Sequence, residues 1–83
     1  MTAITTDNGL EELVRGAWEM TLGIAVEPED DFFDLGGDSM LGLMIVSAIE
    51  DQLGVELDIR ELFERPTVRH MAEVLAAKGI AIP

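Results

Sequence analysis

Apolar positions along the chain set the order of its elements. From Leu10 onward, Leu13, Val14, Ala17 and Trp18 recur at steps of three and four, the stripe of an amphipathic helix. Asp7 or Asn8 can cap this helix, Glu11 and Glu12 sit in a first turn where the helix dipole favours negative charge, and Gly23 ends it after Leu22. Gly16 interrupts the pattern at a cost of about 1 kcal/mol relative to alanine, so close packing is expected there. The pattern predicts a second helix from Ser39 to Leu53, closed by Gly54. Its core stripe is Leu41, Ile45, Val46, Ala48, Ile49 and Leu53, while Met40, Leu43 and Met44 share the opposite side with Ser47, Glu50 and Asp51.

Asp58-Ile59-Arg60-Glu61 fits a capping box and opens a short helix through Leu62 and Phe63, which Pro66 terminates. Thr67 then caps a last helix in which Val68, Met71, Ala72 and Leu75 repeat at helical spacing, with Lys78 near its end and Gly79 as the stop. Residues 1–6 and 80–83 carry no pattern and read as loose ends. No run alternates as a strand does. The stretch Ile24 to Asp38 shows neither period, contains Pro28 and the acidic cluster Glu29, Asp30 and Asp31, and turns apolar at Phe32, Phe33 and Leu35. It reads as a long loop pinned to the core by those side chains, and long loops of this kind are often functional. The expected architecture is therefore all-α, with three principal helices, one short helix and a long first connection. Trp18, Phe32, Phe33 and Phe63 are assigned to the core on their apolar area.

Length and charge narrow the function. With 83 residues there is room for a single domain, ordered from about residue 8 to 78, with a radius of gyration of roughly 12 Å. Such a body can build a docking surface more readily than a walled catalytic cleft. The 17 acidic and 5 basic residues give a net charge of −12, which repels phosphate backbones and anionic lipid and favours basic or apolar partners. The chain has no cysteine, which excludes disulfides and thiolate chemistry. It has no apolar run long enough to span a membrane and no export signal, so a cytoplasmic monomer that binds neither nucleic acid nor membrane is expected.

One residue stands out for chemistry. Ser39 follows Gly36-Gly37-Asp38 at the start of the second helix, where unpaired amides and the positive dipole end favour an attached phosphate. Helix physics alone leaves two readings open: a modified serine, or a serine and aspartate that merely cap the helix. A hydrolase is disfavoured, since His70, the only histidine, lies in the last helix and no nucleophile-elbow pattern surrounds Ser39. His70 reads as a partly exposed helix residue without the companions of a metal site. The acidic loop fails the EF-hand spacing, because Phe32, Phe33 or Gly36 falls where a ligand oxygen belongs. Met40, Leu43 and Met44 are either core or a docking patch, and helical spacing by itself favours core. An acidic, noncatalytic interaction module and a cation-binding helical protein are the competing readings.

The run Asp31-Phe32-Phe33-Asp34-Leu35-Gly36-Gly37-Asp38-Ser39-Met40 resembles the attachment-site signature of phosphopantetheine-dependent carrier proteins, especially the peptidyl carrier (thiolation) domains of nonribosomal peptide synthesis. The likeness continues through Leu53-Gly54-Val55-Glu56-Leu57 and Leu62-Phe63-Glu64-Arg65-Pro66-Thr67-Val68, includes Trp18, and covers about residues 10 to 76. It implies an acyl-carrier-like four-helix bundle in which Ser39 receives 4'-phosphopantetheine from coenzyme A, with Asp38, Gly37 and Gly36 as the attachment loop. It implies a noncatalytic shuttle whose partners are a phosphopantetheinyl transferase, an adenylation enzyme, and condensation, tailoring or thioesterase enzymes. It also gives Met40, Leu43, Met44 and Phe63 a docking role. Asp38 before the serine is typical of acyl carriers, including those of polyketide pathways, whereas the doubled glycine and the LFERPTV run favour the peptidyl type. A discrete, freestanding carrier of an amino-acyl or related group is the expectation.

Overall fold

A computed structural model describes residues 6–80 of the chain, with side chains from residue 9 onward. Four helices follow in order: α1 (Thr6–Leu22), α2 (Ser39–Leu53), α3 (Ile59–Glu64) and α4 (Val68–Ala77). No strand occurs among the described residues. The radius of gyration is 11.8 Å. α1 packs against both α2 and α4, and α3 joins α2 to α4.

Local chemistry explains most of the helix ends. Asp38 is the N-cap of α2, Asp58 of α3 and Thr67 of α4, each with extended backbone and a side-chain oxygen accepting from an amide of the first turn. Gly54 closes α2 in the left-handed region at φ 67°, a conformation that a Cβ disfavours. The capping box at Asp58 is only half formed. Asp58 accepts from Arg60 N at 2.9 Å, but the Glu61 carboxylate lies 3.8 Å from His70 Nε2 on α4 rather than reaching back to the cap.

The core is Leu10, Val14, Ala17 and Trp18 from α1, Ile45, Val46 and Ile49 from α2, Leu62 from α3, and Val68, Met71, Ala72 and Leu75 from α4, together with Val26 and Phe32 from the first loop. Leu41, Ala48 and Leu53 of the expected stripe are only partly buried against it. Three further expectations need correction. α1 already includes Asp7 and Asn8, so neither stands ahead of the helix as its cap. Ile80 packs on the core and donates its amide to Leu75 O, so it is no loose end; residues 1–5 and 81–83 lie outside those described. Close packing does not explain Gly16, since among the described residues no heavy atom beyond its own stretch of helix stands within 4 Å of where its Cβ would be. That role falls to Gly42, whose Cβ would meet Leu62 Cδ2 and Phe63 Cε1 at 3.1 Å where α2 crosses α3.

Candidate functional site

The loop from residue 23 to residue 38 lacks regular structure yet is anchored along its length. Val26 N donates to Glu19 Oε2 at 2.9 Å, Phe32 N to Pro66 O at 2.8 Å, and Arg69 N to Pro28 O at 3.1 Å. Arg69 also pairs with Glu11 of α1 and Glu29 of the loop, tying three segments together. Asp31 Oδ1 accepts from Phe33 N and Asp34 N at 2.8 and 3.1 Å, folding the chain into the turn before the glycines. Side chains anchor it as well. Phe32 is fully buried with its ring edge-on to Trp18 at 5.3 Å.

Phe33 departs from expectation: it is 47% exposed, and its ring lies 5.3 Å from Phe32 and 5.7 Å from Phe63. The two adjacent side chains diverge as the chain turns, and only Phe32 enters the core. The two glycines that follow do different work. Gly36 needs its freedom of backbone at φ 96°, whereas Gly37 does not have positive φ and is small because the Phe32 ring occupies the space of a side chain.

Asp38 and Ser39 divide the tasks at the start of α2. Asp38 Oδ1 accepts from Leu41 N at 2.9 Å and its carbonyl accepts from Gly42 N at 2.8 Å, so the capping belongs to Asp38. Ser39 is the first helical residue, is exposed, and makes no side-chain hydrogen bond among the described residues. Its hydroxyl therefore has no structural task, and it stands beside the amides of the first turn.

Met40, Leu43 and Met44, spaced to share one side of α2, are 72%, 55% and 53% exposed, which removes the core reading. Phe63 is partly buried against the core. His70 is more enclosed than expected, with 16% of its side chain exposed and Nδ1 buried without a partner among the described residues. It lies on α4, and none of the observed contacts links it to Ser39. At the N-terminal end of α3, hydrogen bonds from Arg60 hold the Asp58 carboxyl down to about 2.

An exposed serine hydroxyl on the first turn of a helix, behind a tight glycine turn and beside an apolar face, suits a covalently attached phosphate ester with a long arm. The family model for the phosphopantetheine attachment site matches residues 12–75. The chain belongs to the phosphopantetheine attachment family. It is a carrier domain of the type found in nonribosomal peptide synthetases, and its prosthetic group is 4'-phosphopantetheine. Surfactin synthase subunit 2 of Bacillus subtilis (strain 168) is 40% identical over 76 residues, which is 90% of this chain and 2% of that protein. Tyrocidine synthase 3 of Brevibacillus parabrevis is 41% identical over 70 residues, 83% of this chain and 1% of that protein. The chain thus spans a very small part of these curated relatives.

Solved structures agree in fold. BlmI, a type-II acyl carrier protein from Streptomyces verticillus involved in bleomycin biosynthesis, is 36% identical with a TM-score of 0.83, covering 87% of this chain and 88% of that one. A chain from the complex of the phosphopantetheine transferase Sfp with coenzyme A and a peptidyl carrier protein is 28% identical with a TM-score of 0.81, covering 93% of this chain and 99% of that one. The bundle is the acyl-carrier-like fold.

Proposed function

We propose that Ser39 is the attachment residue and that the chain shuttles an amino-acyl or related acyl group between enzymes of nonribosomal peptide or hybrid peptide–polyketide assembly, without catalysing a reaction itself. One observation carries this reading: Asp38 takes over the capping of α2 and leaves the Ser39 hydroxyl exposed and unengaged. 4'-Phosphopantetheine supplies a terminal thiol that holds the acyl group as a thioester. Loading requires that a bond form between Ser39 Oγ and the pantetheine-bearing phosphorus of coenzyme A. The pyrophosphate bridge breaks, adenosine 3',5'-bisphosphate leaves, and the hydroxyl proton passes to a base on the transferase.

This chain's residues then have distinct parts. Gly36 turns the loop, Asp38 fixes the start of α2, and the positive end of that helix would favour the phosphate diester. Met40, Leu43, Met44 and Phe63 form the docking face read successively by transferase, adenylation, and condensation, tailoring or thioesterase enzymes. Flexible methionines suit a surface that meets several partners. Intact-mass measurement after incubation with coenzyme A and a broad-specificity transferase tests the assignment: one phosphopantetheinyl group should be added to the wild type and none to Ser39→Ala. Modification of Ser39→Ala, or none of the wild type, would overturn it.

A further inference from the structure

Gly37 lies two residues ahead of Ser39, and its smallness is imposed from below. An ideal Cβ there would stand 2.5 Å from Cε1 and Cε2 of Phe32, whereas ordinary contact begins at 3.4 Å. The ring has little freedom to withdraw. It is fully buried, meets Trp18 and Phe33 edge-on at 5.3 Å each, and its residue is tied at both backbone ends, with N donating to Pro66 O at 2.8 Å and O accepting from Gly37 N at 3.0 Å. Only Asp38 separates this contact from the serine, and Asp38 is itself held by Leu41 N and Gly42 N. A displacement at Gly37 therefore has no slack in which to dissipate before it reaches Ser39.

We infer that the Phe32 ring and the bare Cα of Gly37 are a positioning pair, matched in size, that sets where the Ser39 hydroxyl is presented to the enzyme that modifies it. The inference rests on Ser39 being the attachment residue. Restoring ordinary contact to a methyl at position 37 requires a shift of about 0.9 Å, and a displacement near 1 Å can reduce the rate of a positioned reaction by about 100-fold. A smaller side chain at position 32 should make room for that methyl, so the two substitutions should compensate each other.

The test is a size-exchange cycle, reading kcat/KM for transfer from coenzyme A by intact mass, with thermal unfolding measured in parallel. Gly37→Ala should lower kcat/KM by about 10- to 100-fold. Phe32→Leu, which leaves a gap under Gly37, should lower it less, and the combined variant should be faster than either single one although its Tm is below that of the wild type. A combined variant no faster than Phe32→Leu alone, or rates that simply follow Tm, would overturn the inference. Should Gly37→Ala alone fail to fold, the effect of adding it to Phe32→Leu decides, since it must raise the rate and a fall refutes the pairing. Failure to modify the wild type, or modification of Ser39→Ala, would instead strike the attachment assignment.

Discussion

Two helix-interior glycines should respond to the same substitution with opposite sign. Gly16 lies within α1 and Gly42 within α2, so alanine at either gains about 1 kcal/mol from intrinsic helix propensity alone. At Gly16 no described residue opposes that gain, because none places a heavy atom beyond the local helix within 4 Å of the new methyl and the backbone φ is not positive. A gain of about 1 kcal/mol in a domain of this size raises Tm by roughly 4–8 °C. At Gly42 the methyl would meet Leu62 Cδ2 and Phe63 Cε1 at 3.1 Å and Phe63 Cζ at 3.3 Å, with Leu62 fully buried. Overpacking of this kind costs about 1–3 kcal/mol, so the net effect of Gly42→Ala runs from neutral to a loss of about 2 kcal/mol. Circular-dichroism melts of both variants at one protein concentration and one salt concentration measure the difference directly. A fall in Tm for Gly16→Ala, or an equal gain for Gly42→Ala, would refute the argument that occupied space decides the sign.

Two other outcomes follow from the surface. Met44→Glu replaces a half-exposed side chain, so it should leave the helical signal intact and stability within about 0.5 kcal/mol while slowing loading by the cognate adenylation enzyme. Loss of helix in that variant would mean that the residue serves the fold rather than docking. The Asp58 carboxyl, depressed to about 2 by hydrogen bonds from Arg60, favours the folded state above the unfolded value near 4. That contribution fades as pH falls through about 2. Carbon-detected NMR titration should therefore find Asp58 ionising well below the ordinary aspartate value, and Arg60→Ala should move its midpoint upward; an unchanged midpoint would contradict the assigned cause.

Legibility in the sequence follows the range of the interactions involved. The ends of α2, α3 and α4 can be read from Asp38, Gly54, Asp58, Pro66 and Thr67 because a cap is a contact between neighbours in the chain. Ser39 is visible for the same reason, although the sharing of duties with Asp38 needs the hydrogen bond to Leu41 N. Contacts between elements are harder. Nothing local distinguishes Phe32, which enters the core, from Phe33, which does not, since no periodicity governs a turning loop. Val26 gives no sign of being an anchor because it belongs to no periodic run. Gly16 and Gly42 look alike in sequence, and only the crossing of α2 and α3 separates them. The exposed Met40, Leu43 and Met44 show the limit of helical spacing, which groups residues on a face without saying what covers it.

The separation of tasks between Asp38 and Ser39 has a practical consequence. Because the serine oxygen makes no hydrogen bond among the described residues and Asp38 does the capping, its deletion in Ser39→Ala should leave the scaffold about as stable as before. On the proposed attachment at Ser39, such a variant is a permanently blank carrier. Partner surfaces can be mapped on it with no chemistry under way, and any difference from the native chain can be ascribed to the prosthetic arm rather than to the bundle that bears it.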